Sequence, residues 1–416
     1  MKKYLIRARM SLLIVLCSFS AGSFAENQSR FTLKKALQLT LEHNPKLTRY
    51  PLYIRQIEGE IQQANSLPSP MAEIELSNNE TRLTLSQSFE LGNKRQNRRA
   101  FSNAKQQQLH AEFTIIRLDV LAETSRRYYQ LLALQKQQSL QDIRIGQEKR
   151  ALKIIKKRAQ AGIVSQADVA NMALRLARSN TTLKQLQFSI EGERIRLASM
   201  WLNDGSELKN ALGKLSQLPK LPTEEQLSLL INKQLEQLPD YRLQVALLRL
   251  ADNQLQLEQA NSRADINLGL GISHDQNTHD PSLVFTAAMP LNFMNVSGAP
   301  NRGRINSALA QQQLSLDNID IKRRELRIEL ARIQQALAKD RYLEKQITSQ
   351  LLPLANEVLS TTQKAYRQGQ YTVRQWIDAQ GQVFNLEQDL INSQVRIFNQ
   401  VLELERILGQ SIVSAQ

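Results

Sequence analysis

The chain has 416 residues, a formal net charge of +15 and only 15 glycines and 11 prolines. So few helix breakers in a chain rich in Gln, Leu, Ala, Arg and Lys describe long helices. The single cysteine excludes a disulfide framework, and no stretch beyond residue 25 is apolar over the ~18 residues that a membrane-crossing helix needs.

The first segment, "MKKYLIRARMSLLIVLCSFSAGSFA", has a basic start (Lys2, Lys3, Arg7, Arg9), an apolar run from Met10 to Phe19, and small residues at Ser23 and Ala25. That is the pattern of a signal peptide over 1–25 with cleavage after Ala25. Cys17 follows Leu16, which is bulkier than a lipobox admits, so the expectation is loss of Cys17 with the signal. Removing the four cations of 1–25 leaves a net charge of +11. An exported basic chain seldom meets nucleic acid, so none is expected as partner, and the charge reads as solvated helix faces.

The next elements are a helix over roughly 32–66 and two strands. In 72–77, Ala72, Ile74 and Leu76 oppose Glu73, Glu75 and Ser77; in "LTLSQSFEL" (83–91), Leu83, Leu85, Phe89 and Leu91 oppose Thr84, Ser86, Ser88 and Glu90. Period-2 alternation makes one face apolar and the other polar. A cationic run follows at once (Lys94, Arg95, Arg98, Arg99) and opens a helix over 94–161, with another over 165–202. The segment "NDGSELKNALGKLSQLPKLPT" (203–223) carries turn punctuation.

The same order then returns: helix 224–262, strands 264–273 and 283–291, helices 302–368 and 372–408. "QQAN" (62–65) answers "EQAN" (258–261), "AEIELS" answers "ADINLG", and "KRAQAGIVSQADVANMAL" (157–174) answers "KAYRQGQYTVRQWIDAQG" (364–381). Such ordered matches predict two structural repeats, 26–202 and 224–416, joined by an equatorial linker at 203–223. Ile116, Val120, Leu121, Tyr128, Leu131 and Leu132 recur at helical spacing, which predicts lateral coiled-coil packing of the long helices.

Strands of about nine residues are near the length that crosses an outer membrane when tilted. Lipid tolerates only closed barrels, and four strands cannot close. The chain must then oligomerise, or its strands form a soluble sandwich. On the membrane reading, Lys94, Arg95, Arg98 and Arg99, with Arg302 and Arg304 at the corresponding place after the last strand, lie at anionic headgroups. Cations at a helix N-terminus oppose the macrodipole, so something must compensate them. "SHDQNTHDPS" (273–282) offers His274 and His279 as weak metal ligands in a loop. No nucleophile–base pair, phosphate loop or metal-ligand spacing is present, so neither an enzyme nor a cofactor is expected.

"FTLKKALQLTLEHNPKL" (31–47), "LSQSFELGNKRQNRRAFSNA" (85–104) and the duplicated Gly-x-x-Ser/Thr turns resemble the TolC family of outer-membrane efflux proteins, and "SQSFELGNKRQNRR" is most similar to its heavy-metal branch for cobalt, zinc, cadmium or copper. The resemblance implies a mainly α fold with transmembrane β: a homotrimer whose twelve strands form one outer-membrane barrel, continued by a periplasmic α-helical barrel. It implies a passive duct in outer-membrane lipid, served by a periplasmic adaptor (membrane fusion) protein and an inner-membrane RND-type pump. It places the periplasmic tips at Gly162, Ile163, Val164 and Ser165 and at Gly369, Gln370 and Thr372, where the adaptor docks. It also implies a pore constriction at Asp168 and Asp378, with Tyr366 as a tethering residue. Gln375 and Tyr371 stand where relatives carry a second acidic and a basic residue. Drug efflux and type I secretion channels share this pattern. A different class, a periplasmic coiled-coil adaptor, would need one helical hairpin flanked by lipoyl-like strands.

Overall fold

The computed structural model describes residues 31–206, 208, 210–219, 223, 225, 229, 233–276, 280–290 and 301–411. The expected signal peptide, His279 and Leu291 lie outside the described residues.

The N-terminal helix expected over 32–66 is three helices: α1 (Leu33–His43), α2 (Pro45–Thr48) and α3 (Tyr50–Ala64). Thr32 caps α1, its side chain accepting from the Lys35 N–H. Asn44 ends α1 and caps α2 ahead of Pro45, a position that needs no N–H. The Asn44 amide also donates to the Met200 carbonyl (2.7 Å), which fixes this break against the far end of the first half.

Strands β1 (Met71–Leu76) and β2 (Glu80–Phe89) precede α4 (Lys94–Gln160), a single helix of 67 residues, then α5 (Gln166–Ala198). At about 1.5 Å per residue α4 is a rod of roughly 100 Å. After the linker come α6 (Pro239–Asn261), β3 (Ile266–Asp275), β4 (Pro281–Ala288), α7 (Arg302–Gln346), α8 (Leu352–Arg367) and α9 (Val373–Leu408). The second long helix thus runs from Arg302 to Arg367 but is not α throughout. A π-helical turn, Ile347–Leu351, separates α7 from α8. Pro353 lies just beyond it, where a missing N–H and the ring's bulk favour such a widened turn.

Packing runs along the rods as three clusters. The first gathers Phe31, Tyr128, Leu131, Trp201, Ala211 and Phe398 around the linker. Here Phe31 and Ala211 form a short parallel bridge, and the Tyr128 hydroxyl lies 2.6 Å from the Leu212 carbonyl and 3.0 Å from that of Phe31. Burial pushes that phenol up to about 12. The second cluster packs Leu238 and Tyr241 on Leu326, Leu330, Leu404 and Ile407. The third joins the two helical hairpins at their turns. Buried carboxylates bolt neighbouring rods: Glu148 accepts from Arg144 (3.0 Å) and Arg175 (2.9 Å), and Asp340 from Arg396 (2.9 Å) and Gln400 (2.7 Å).

The four strands form one antiparallel sheet in the order β1-β2-β3-β4. Its register aligns Ile74, Leu83, Ile272 and Leu283 in one row and Ala72, Leu85, Leu270 and Phe285 in another. The interleaved rows are polar or small except at Val284: Glu75–Arg82–Ser273–Ser282 and Glu73–Thr84–Gly271–Val284.

Candidate functional site

The two faces of the sheet differ in curvature as well as polarity. On the apolar face, Phe285 is 78% exposed and Ile74 68%; on the polar face, Thr84 is 6% and Ser273 4% exposed. Small side chains bury themselves where the sheet is concave. Gly271 makes that curl possible, because a Cβ there would stand 2.7 Å from Thr84 Oγ1 and 3.0 Å from its Cα. Gly269 does the same opposite Thr286, whose hydroxyl a Cβ would strike. The polar face is thus the inside of a curve and the apolar face its outside. Large contiguous apolar surfaces on exposed elements mark a membrane or a partner.

Where β2 gives way to α4, Gly92 (φ 78°) and Asn93 (φ 59°) turn the chain in the left-handed region. Of the six cations expected to meet headgroups, Lys94 and Arg98 are committed within the chain. Lys94 is buried, and its ammonium lies 2.7 Å from Asp265, which also accepts from the Leu91 N–H (3.1 Å). Arg98 grips Glu90 through two nitrogens, one at 2.9 Å, and donates to the Ser66 carbonyl (3.2 Å). These carboxylates supply the negative charge that the helix N-terminus requires and that no first-turn residue carries. Lys94 and Arg98 are therefore fasteners of the sheet–rod junction. Arg95, Arg99, Arg302 and Arg304 remain exposed.

The far ends of the rods are built alike. α4 ends in a reversal at Gly162 (φ 72°), where the Ile163 N–H returns to the Arg158 carbonyl (2.9 Å). α8 ends at Gly369 (φ 80°), with the Gln370 N–H returning to Ala365 (2.9 Å). Only glycine adopts this backbone without strain. Each following helix opens on a capping box, Ser165 with Asp168 and Thr372 with Gln375. The Asp168 carboxylate accepts from the Ser165 hydroxyl (2.8 Å), and the Gln375 carbonyl oxygen accepts from the Thr372 N–H (2.8 Å). These two side chains therefore have local work that their expected place at a constriction did not anticipate. Ser/Thr-x-x-Asp/Gln before an apolar run is the signature that gives it away.

Tyr366 is buried and stacks on Trp376 with centroids 5.1 Å apart. Burial raises its hydroxyl pKa above the usual range, and Asp168 lies close enough to add to that. Arg158 from the first hairpin closes the cluster: its guanidinium sits 4.3 Å from the Tyr366 ring centroid and donates to the carbonyls of Tyr366 (3.2 Å) and Arg367 (3.3 Å). So Asp168, Tyr366, Trp376 and Arg158 come together at the tip, while Tyr371, Gln370 and Asp378 are exposed. Trp376 and Arg158 carry no sequence signal for this, because their partners come from the other hairpin or from across a turn.

His274 lies at the end of β3, and among the described residues no three His, Cys, Asp or Glu side chains form a metal-sized cluster. None of the described helices is long and apolar enough to cross a membrane.

The family model Outer membrane efflux protein matches residues 36–201. The cobalt-zinc-cadmium resistance protein CzcC of Cupriavidus metallidurans is 23% identical over 384 residues, covering 91% of this chain and 90% of its own. The outer membrane protein VceC of Vibrio cholerae superposes with a TM-score of 0.73 at 18% identity, over 91% of this chain and 96% of its own. CusC, solved in a study of folding and transmembrane channel formation, gives 0.74 at 18%, over 91% and 92%. At these identities the solved structures establish the fold.

Proposed function

We propose that this chain, a member of the outer membrane efflux protein family through residues 36–201, is the outer-membrane duct of a tripartite export system. The observation that carries the reading is the curved sheet. Its convex face is apolar and exposed, its concave face polar, and it is mounted on a rod of roughly 100 Å. A β structure exposed to lipid must have no open edge, and among the described residues β1 and β4 each have one edge unpaired. Three copies supply twelve strands, an even number within the range of outer-membrane barrels. With the polar face inward, the lumen is wet.

The rods then form a periplasmic tunnel ending at the Gly162 and Gly369 turns, where Ile163, Val164, Ser165, Gln370 and Thr372 meet an adaptor. Asp378 is exposed six residues into α9. Repeated by threefold symmetry it places three carboxylates around the tip, an arrangement that favours cations. Arg95, Arg99, Arg302 and Arg304 face headgroups. Transport is passive, and the pump supplies the energy. The name of the relative CzcC supports heavy-metal cations as cargo. Two hairpins on a membrane-length sheet speak against an adaptor, which needs one.

Two measurements test this. The protein should stay with the outer-membrane fraction through a high-salt wash and migrate as a trimer in detergent; a stable monomer released by salt refutes the duct. Deletion should sensitise cells to cobalt, zinc, cadmium or copper more than to hydrophobic drugs, and the reverse order would make drugs the cargo.

A further inference from the structure

The two hairpin ends match in backbone but not in charge. Over 143–180 the chain carries nine Lys and Arg against two acidic residues; over the corresponding 350–387 it carries three against three. Three of the nine are engaged within the chain: Arg144 and Arg175 on Glu148, and Arg158 on the α8 carbonyls. Lys149, Arg150, Lys153, Lys156 and Lys157 are exposed on α4, and among the described residues none of them pairs with a carboxylate.

These cations follow a pattern. On the lower part of α4, Gln141, Ile145, Glu148, Ala151 and Ile155 are buried, at the 3.5-residue spacing of a coiled-coil seam that packs within the chain. A second seam has the same spacing on another side of the helix: Ile143, Gly146, Arg150, Lys153 with Ile154, and Lys157. Among the described residues nothing packs over its large side chains. Ile143 is 56% exposed and Ile154 43%. A Cβ added to Gly146 would meet nothing within 4 Å. A glycine inside a helix costs roughly 1 kcal/mol relative to alanine; Gly146, like Gly59, Gly192 and Gly303, has no internal neighbour that requires it, and it leaves room for an outside backbone to come close. Ile143 also borders a cleft of about 530 Å3 between α4, α8 and α9, shared with Leu132, Leu140, Phe384 and Lys136. The stripe thus has apolar anchor points within a cationic frame.

We propose that the α4 stripe from Ile143 to Lys157 docks an acidic, amphipathic helix of a separate periplasmic protein. The partner is specified by charge complementarity. Another copy of this chain presents, in its second hairpin end, as many cations as acids, and its first hairpin end is itself basic. A helix with apolar residues at its seam and Glu or Asp flanking them matches the stripe over two heptads, about 21 Å. The inference rests on the duct reading and gives chemistry to the partner at its tip.

The probe is a synthetic helical peptide of about 28 residues with Leu at its seam and Glu flanking it, and a twin with Gln for every Glu. Both are titrated by fluorescence anisotropy against the full-length protein in detergent. The Glu peptide should bind the wild type with an affinity that falls as salt rises, and about tenfold more weakly to R150Q/K153Q/K157Q. K153R/K157R, which keeps the charge, should bind as wild type. Gly146→Leu, which keeps all cations and favours the helix, should also lose binding, because it blocks approach. Equal binding of the Glu and Gln peptides overturns the proposal. So does unchanged binding by Gly146→Leu, which would mean diffuse attraction only. Binding of phosphatidylglycerol vesicles without the peptide would assign the stripe to a lipid surface and also overturn it. Failure of the duct reading shows separately, as release of the wild-type protein from the outer-membrane fraction by salt as a stable monomer. Under the proposal, R150Q/K153Q/K157Q assembles in the membrane but restores less resistance than K153R/K157R.

Discussion

Phe285→Arg is the most direct perturbation of the sheet. Phe285 is the fifth of eight residues in β4, paired with Leu270 across the sheet and flanked on its own strand by Leu283 and Ala287 on the same apolar face. Its neighbour Thr286 is also exposed but points to the concave face, opposite Gly269. An arginine facing hydrocarbon near mid-depth costs about 2–4 kcal/mol. In a closed ring of three copies the cost is incurred three times, roughly 6–12 kcal/mol per assembly. That rivals the whole folding stability of an ordinary domain, about 5–15 kcal/mol. Phe285→Arg should therefore leave little heat-resistant trimer in the outer membrane. Thr286→Arg should assemble at near wild-type level, and Phe285→Leu should cost under about 1.5 kcal/mol. Thr84→Arg is a poorer control, since Thr84 is buried in the curl against Gly271. The assay is outer-membrane fractionation with unheated gels, backed by urea unfolding in liposomes. Equal loss in Phe285→Arg and Thr286→Arg would refute the assignment of the faces.

Arg158→Ala removes two hydrogen bonds to α8 carbonyls and a ring contact, roughly 1–3 kcal/mol; it should raise resting conductance in planar bilayers and speed protease nicking near Gly369. Gly369→Ala forces a side chain onto a backbone at φ 80°, costing roughly 1–2 kcal/mol, and hydrogen exchange at that turn should accelerate while the sheet is unaffected. The Tyr128 phenol is held to about 12 against an ordinary 10, so the folded state keeps its proton longer than the unfolded chain. Stability is full below pH 10 and should fall by roughly 3 kcal/mol between pH 10 and 12; Tyr128→Phe should be less stable at neutral pH yet flatter over that window in thermal melts. Asp378→Asn should lower cation preference and weaken block by multivalent cations in bilayers; unchanged ion preference would remove Asp378 from the constriction.

Local periodicity made much of the architecture readable. The alternation of Leu83, Leu85 and Phe89 with Thr84, Ser86 and Ser88 assigns strand faces before any pairing is known, and sixty-odd residues without a proline predict α4. What escaped was set by partners far away in the chain. Lys94 meets Asp265 and Arg158 meets Tyr366, pairs that only the return of the second half brings together. A cationic run near a strand end therefore looked like a headgroup belt, although two of its members are bound inward. The π turn between α7 and α8 has one local signal, Pro353. The capping roles of Asp168 and Gln375 are local and legible in Ser/Thr-x-x-Asp/Gln.

The open outer edges of β1 and β4 bear on genetics. In the proposed duct the sheet completes its hydrogen bonds by joining three copies, which makes each subunit answerable for the others. When a defective and a normal copy are produced equally and mix at random, about one trimer in eight contains normal subunits alone. A lesion that spoils closure after subunits have met, such as a charge on the convex face of β4, should therefore act dominantly over a normal gene. A lesion that prevents the subunit from folding at all, or deletion of the gene, should be recessive. Dominance would thus sort variants by the stage at which they fail, without any structure of the mutants being needed.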